Sequence, residues 1–206
     1  MSSSTKFHWL THEGSRATKP VHDYVLCETK NFAVLPSLGS LVPNWVLIIP
    51  KNPMPCLSHL NLNEQNELTN LSERVRAKFS WSPAETFLFE HGGEYGSPIS
   101  CGVDQAHLHL VNVDFDLILA AKNFNTELVW ETEEGCLPMP STSEQKKAEY
   151  LACSNAGIVH FAFPKSPVSQ FFRRVIAQET SQPEKWNYRD FPALEEISNT
   201  NARFLA

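Results

Sequence analysis

Two histidines, His107 and His109, stand two residues apart in the run Gln105-Ala106-His107-Leu108-His109-Leu110-Val111. Successive side chains of a strand point to opposite faces, so this spacing sets both imidazoles side by side, with Gln105, on one polar face. Ala106, Leu108 and Leu110 then point the other way, toward a core. A neutral imidazole near pH 7 can attack phosphorus, forming a phosphoramidate that water or another acceptor cleaves. One hard displacement becomes two easier ones. The neighbouring imidazole can bond a non-bridging phosphate oxygen, and loop N–H groups can stabilise charge that develops in the transition state. No cofactor is required for this chemistry. His107 and His109 are therefore the candidate catalytic residues. A bare His-x-His is a weak signal, and without further context a non-catalytic surface pair is an equal reading. A metal reading needs a third ligand, which His91, Cys101 or Asp104 would have to supply.

Several elements must position the pair. The loop His91-Gly92-Gly93-Glu94-Tyr95-Gly96-Ser97-Pro98 precedes it, and with three glycines in eight residues its backbone can bring N–H groups close to an anion. Thr86–Glu90 reads as the strand leading into that loop. Trp45–Ile49 is apolar and β-branched between Pro43 and Pro50, which predicts a buried strand ending at the second proline. Asp23–Glu28 and Phe32–Leu35 read as short strands around a turn at 29–31. Asn63 is a suitable cap for a helix reaching Phe79, with Leu68, Leu71, Val75 and Phe79 on one stripe. Further on, Glu127–Glu131 and Ile158–Phe163 read as strands, Val168–Gln178 as an amphipathic helix, and Pro192–Phe204 as another that starts on its proline. Leu137–Ser141 is the best linker. Strands and helices without a regular alternation suggest an antiparallel α+β sheet. Arg173 and Arg174 read first as a solvated face or as ion-pair partners, and second as contacts to a phosphate, across a dimer or within the chain, while Trp81, Trp130 and Trp186 read as packing anchors.

Bulk properties limit the partners. The chain has 206 residues, 17 Lys+Arg and 23 Asp+Glu, for a formal charge of −6. No Lys/Arg cluster runs longer than two, so a polynucleotide or an anionic membrane, each of which needs a concentrated positive field, is disfavoured. A small phosphorylated ligand needs only a local site. Five widely spaced cysteines without a C-x-x-C motif read as reduced thiols. With no apolar leader at the start, the expected location is the cytoplasm.

The same residues resemble a known family. Gln105 to Val111 resembles the signature of the histidine-triad (HIT) proteins, His-φ-His-φ-His-φ-φ with φ apolar. Phe89-Glu90-His91-Gly92 and Cys101-Gly102-Val103-Asp104 look like the segments before that signature in bacterial members, and residues 31–50 look like the family's nucleotide-side hairpin. The resemblance runs in order over about residues 20–115. Residues 116–206, with Gln170-Phe171-Phe172-Arg173-Arg174, are similar to a C-terminal extension in a bacterial subset. It implies a HIT-like domain over 1–115 and an αβ extension over 116–206 packed on the same core, with a mainly antiparallel sheet of about five strands flanked by helices. It also implies a homodimer acting on nucleoside phosphoanhydrides or related esters, dinucleoside polyphosphates first among them, through a nucleotidyl-histidine. The family's nucleophile falls on His107 and its third histidine on His109. Ser37, Glu90, His91, Ser100, Cys101 and Gln105 fall at substrate-contacting positions. Gln105 replaces the first histidine, Ser37 an Asp or Asn that holds the ribose, and Asn44-Trp45 a frequent Gly-His pair. A second register makes His109 the nucleophile and Val111 third, but His109-Leu110-Val111 fits the closing His-φ-φ better. A diverged nucleotide binder without turnover and a zinc-dependent hydrolase are the competing readings.

Overall fold

The computed structural model describes residues 7–11, 21–95, 105–141, 149–166 and 168–206. Their centre is a sheet of eight strands in the order β1-β2-β3-β5-β4-β7-β8-β6. The strands are β1 (Cys27–Glu28), β2 (Phe32–Pro36), β3 (Val46–Pro50), β4 (Thr86–Gly92), β5 (Leu108–Asn112), β6 (Trp130–Glu134), β7 (Tyr150–Asn155) and β8 (Ile158–Ala162). Every neighbouring pair is antiparallel. The mixed α+β architecture agrees with the sequence reading, but the strand count does not. Instead of about five strands there are eight, because β6, β7 and β8 continue the sheet from β4 outward.

The apolar, proline-bounded run at 46–50 is β3, wholly buried between β2 and β5. Helix α1 (Leu62–Lys78) is capped at Asn61 rather than Asn63. Asn61 Oδ1 accepts from the N–H groups of Asn63 and Glu64, and the Glu64 carboxylate accepts from the Asn61 N–H. That reciprocal pair satisfies donors an uncapped end would leave open. Leu68, Leu71 and Val75 bury against Val34, Ile48, Leu108 and Leu110. The opposite face, expected to be polar around the histidines, is apolar instead. Trp45, Phe87, Phe89 and Val111 pack there on helices α2 (Leu117–Phe124) and α3 (Phe171–Glu179).

Other elements shift for local reasons. The first strand shrinks to two residues, because only Cys27 and Glu28 pair with β2, while Asp23 belongs to a tight turn over Val21–Asp23. Strand β6 starts at Trp130, where pairing with β8 begins. Helix α3 starts at Phe171 because Gln170 adopts φ 56, a left-handed backbone. Likewise Ala193, at φ 50, delays α4 to Leu194–Leu205, so Pro192 stays outside. Its carbonyl accepts instead from the Gly39 N–H at 2.8 Å. Gly39 itself has φ 71, and a Cβ there would lie 2.6 Å from Tyr188 Cβ. The loop between β2 and β3 is thereby clasped by the chain's last segment, which brings α3 over the histidines.

Candidate active site

His107 immediately precedes β5, where the Ala106 N–H donates to the Met54 carbonyl at 2.7 Å. Its Nδ1 lies 2.8 Å from the Gln105 carbonyl oxygen. A carbonyl only accepts, so Nδ1 carries the proton and Nε2 of the neutral ring bears the lone pair. His109 is held in the opposite tautomer. The Trp45 indole N–H, which can only donate, is 3.0 Å from His109 Nδ1. The proton of neutral His109 therefore sits on Nε2, which becomes a donor. With ring centroids 4.9 Å apart, a nucleophilic nitrogen and an N–H donor stand side by side. Aromatic packing fixes His109: Phe89 stacks on it at 4.5 Å and Trp45 meets it edge-on at 5.6 Å. Phe172 of α3 backs Phe89 at 4.7 Å.

Both imidazoles line a cavity of about 60 Å³. That is room for a few waters or a phosphoryl group between mostly apolar walls. Ser37, His91, Gln170, Arg173 and Tyr188 supply its other polar side chains. His91 Nε2 is 3.0 Å from the Glu149 carboxylate, and both side chains are buried. Ser37, buried, donates its N–H to the Trp45 carbonyl at 2.9 Å, which ties the β2–β3 loop to the tryptophan that orients His109.

Two expected substrate contacts are placed elsewhere. Gln105 is buried with its side chain turned to the Pro50 carbonyl at 3.0 Å. It serves His107 through its backbone oxygen, which any residue at this position would offer. Glu90 points to the far side of the sheet because Phe89, its neighbour, stacks on His109. There its carboxylate accepts from the Leu57 N–H at 2.9 Å and from the Tyr150 hydroxyl. Ser100 and Cys101 lie outside the described residues. So does Asp104, and among the described residues no three His, Cys, Asp or Glu side chains cluster to hold a metal ion. Arg173 was read as a solvated or paired side chain, but it is buried at 5% exposure. The sequence reads Trp45 only as the start of a buried strand and as part of a replaced Gly-His pair, and Arg173 only secondarily as a phosphate contact. Neither belongs to a spacing pattern that would place it beside the histidines.

Glu90 has a measurable consequence. Burial pushes its carboxyl from 4.5 up to about 7, against the opposing pull of Tyr150, the Leu57 N–H and His107. Between those values the folded chain binds more protons than the unfolded one. Stability is thus complete below about pH 4.5 and declines as pH rises through about 7. At ~1.4 kcal/mol per pH unit the loss is roughly 3 kcal/mol. Glu90→Gln should flatten the decline. Urea unfolding between pH 4.5 and 8 checks this, and parallel curves for the two proteins would contradict it.

No family model matches the chain, and no curated protein sequence does. Solved structures similar to it include a HIT family hydrolase from Clostridium thermocellum, 17% identical over 56% of this chain and 96% of that one, with a TM-score of 0.43. A hypothetical histidine triad nucleotide-binding protein from Sulfolobus tokodaii is 16% identical over 53% and 70%, with a TM-score of 0.39. Yeast Ap4A phosphorylase Apa2, solved with Ap4A, is 12% identical over 85% and 81%, with a TM-score of 0.40. Likenesses of this size assign no family. Among the described residues no helix is long and apolar enough to cross a membrane.

Proposed function

We propose that the chain is a nucleotidyl hydrolase or transferase acting on nucleoside phosphoanhydrides or related phosphate esters, with dinucleoside polyphosphates the first class to test. One observation carries this reading: complementary tautomers of His107 and His109, each set by its own hydrogen bond, at the wall of one cavity. His107 Nε2 attacks the α-phosphorus in line. The bond from phosphorus to the leaving oxygen breaks, and that oxygen takes the electron pair. His109 donates its Nε2–H to a non-bridging oxygen, where charge grows in the transition state. Water then attacks the phosphorus and gives up a proton to solvent, the P–N bond breaks with its electrons returning to Nε2, and the nucleoside monophosphate departs. Ser37 and His91 line the substrate's side of the cavity, and Ser100 and Cys101 are proposed as further substrate contacts on the resemblance alone. Glu90 supports the sheet from beneath, and the working unit is a homodimer.

The test is capture of the intermediate. A panel of dinucleoside polyphosphates, nucleotides and nucleoside phosphoramidates is mixed with the protein, quenched at alkaline pH where the P–N bond survives, and weighed by intact mass spectrometry. The expected product is one nucleoside monophosphate per chain, mapped to His107. Nucleotide binding with neither adduct nor turnover across the panel would instead make the chain a non-catalytic nucleotide binder.

A further inference from the structure

Helix α3 begins at the cavity: Gln170, Phe171, Phe172 and Arg173 all line it. Arg173 is a buried cation. Its Nε donates to the Trp186 carbonyl at 3.0 Å and its Nη2 to the Gly39 carbonyl. The guanidinium lies over Trp45 at 4.8 Å and over Tyr188 at 5.8 Å. These contacts orient it without cancelling its charge, and the ion pairs among the described residues involve other groups. Nη1 makes no hydrogen bond to protein there. Burial lowers the guanidinium to about 10, which still leaves it charged at neutral pH. A buried cation without a carboxylate is costly, and an anionic ligand removes that cost.

Two further features point the same way. The side chain of Gln170 is 7% exposed and gives α3 no cap; its Oε1 is a buried acceptor that an anion cannot satisfy, whereas its Nε2 donor makes no hydrogen bond among the described residues and is left for a phosphate oxygen. The first-turn N–H groups of α3 thus lack a side-chain acceptor, and a helix start of this kind favours negative charge. The cavity wall therefore carries an unpaired guanidinium and a helix N-terminus alongside the two imidazoles.

We propose that Arg173, Gln170 and the first turn of α3 form an anion subsite that holds a second phosphoryl group, adjacent to the one His107 attacks. The substrate class is accordingly a phosphoanhydride with at least two contiguous phosphates, rather than an ester or amidate with an uncharged leaving group. This choice of substrate rests on the nucleotidyl-transfer reading, whereas anion binding at the subsite does not. A guanidinium can bond two phosphate oxygens at once, which a lysine in its place could not.

Inorganic pyrophosphate is the probe, with binding followed by calorimetry on the wild type, H107A, R173Q and Q170G. Pyrophosphate should bind the wild type and H107A alike and R173Q at least tenfold more weakly. Q170G suits the left-handed backbone at φ 56 and removes only the carboxamide, so it should fold normally and bind about threefold more weakly. Wild-type affinity in a folded R173Q overturns the subsite. If R173Q fails to fold, undiminished affinity in Q170G overturns it. In turnover, the ratio of kcat/KM for an anhydride to that for a phosphoramidate should fall roughly a hundredfold in R173Q, and an unchanged ratio means Arg173 is structural only. Pyrophosphate binding without a His107 adduct would remove nucleotidyl transfer and keep the subsite. An adduct without pyrophosphate binding would do the reverse.

Discussion

Replacing His107 by alanine should lower nucleotide release by about 10⁴-fold or more while leaving substrate affinity within a few-fold. The size of the effect follows from the role: without Nε2 there is no phosphoramidate, and both displacements disappear together. Binding survives because Ser37, His91, His109 and Arg173 all remain on the cavity wall. Folding should survive as well. The His107 ring lines the cavity, 6.2 Å from the Phe7 ring, and its Nδ1 bond is to a backbone carbonyl that stays in place. The vacated space gives a second readout. Added imidazole should enter it and restore part of the activity, which a general loss of structure would not permit. The alternative register makes a different forecast, since with His109 as nucleophile H107A would keep substantial turnover. The indole bond argues against that register, because it occupies Nδ1 of His109 and so places the ring proton on Nε2, which then has no lone pair to offer phosphorus. Turnover of H107A within tenfold of the wild type would move the nucleophile away from residue 107.

The pair itself was legible because the alternation Ala106, Leu108, Leu110 against His107, His109 is a local pattern, and strands write their two faces into neighbouring residues. Its surroundings were not. The face holding the imidazoles was expected to be polar, yet Phe89 and Phe172 close over it. Phe172 and Arg173 arrive from more than sixty positions downstream, and long-range contacts of this kind leave no periodic trace. Strand β7 escaped notice for a related reason. Five of its six residues are buried, so Tyr150–Ser154 shows no alternation to distinguish it from any other apolar run. Helix α2 is likewise a short apolar stretch, capped by Asp116 through the N–H groups of Ile118 and Leu119. The resemblance sets Gln105 where a histidine side chain would support His107. The support is a backbone oxygen, so a change of side chain leaves it untouched.

Trp45 is where the next largest effect is expected. Trp45→Leu should destabilise the fold by about 3–5 kcal/mol, since the ring is fully buried against Phe89 and His109 and no neighbour can collapse into its volume. Trp45→Phe separates packing from polarity. It keeps an aromatic ring and removes the N–H donor, so the stability loss should shrink to about 1–2 kcal/mol. Activity should suffer more than that figure suggests. Once the indole donor is gone, Nδ1 of His109 can take the ring proton, and Nε2 then has no proton to offer the phosphate. The expected result is a 10- to 100-fold drop in kcat, on the order of what an outer partner of a catalytic group supplies, with KM nearly unchanged because the donation matters most when charge develops. Urea unfolding and steady-state kinetics on the same two variants decide the point. A Trp45→Phe protein with wild-type kcat would mean that the indole acts by packing alone, and the assignment of His109 as a fixed N–H donor would fall.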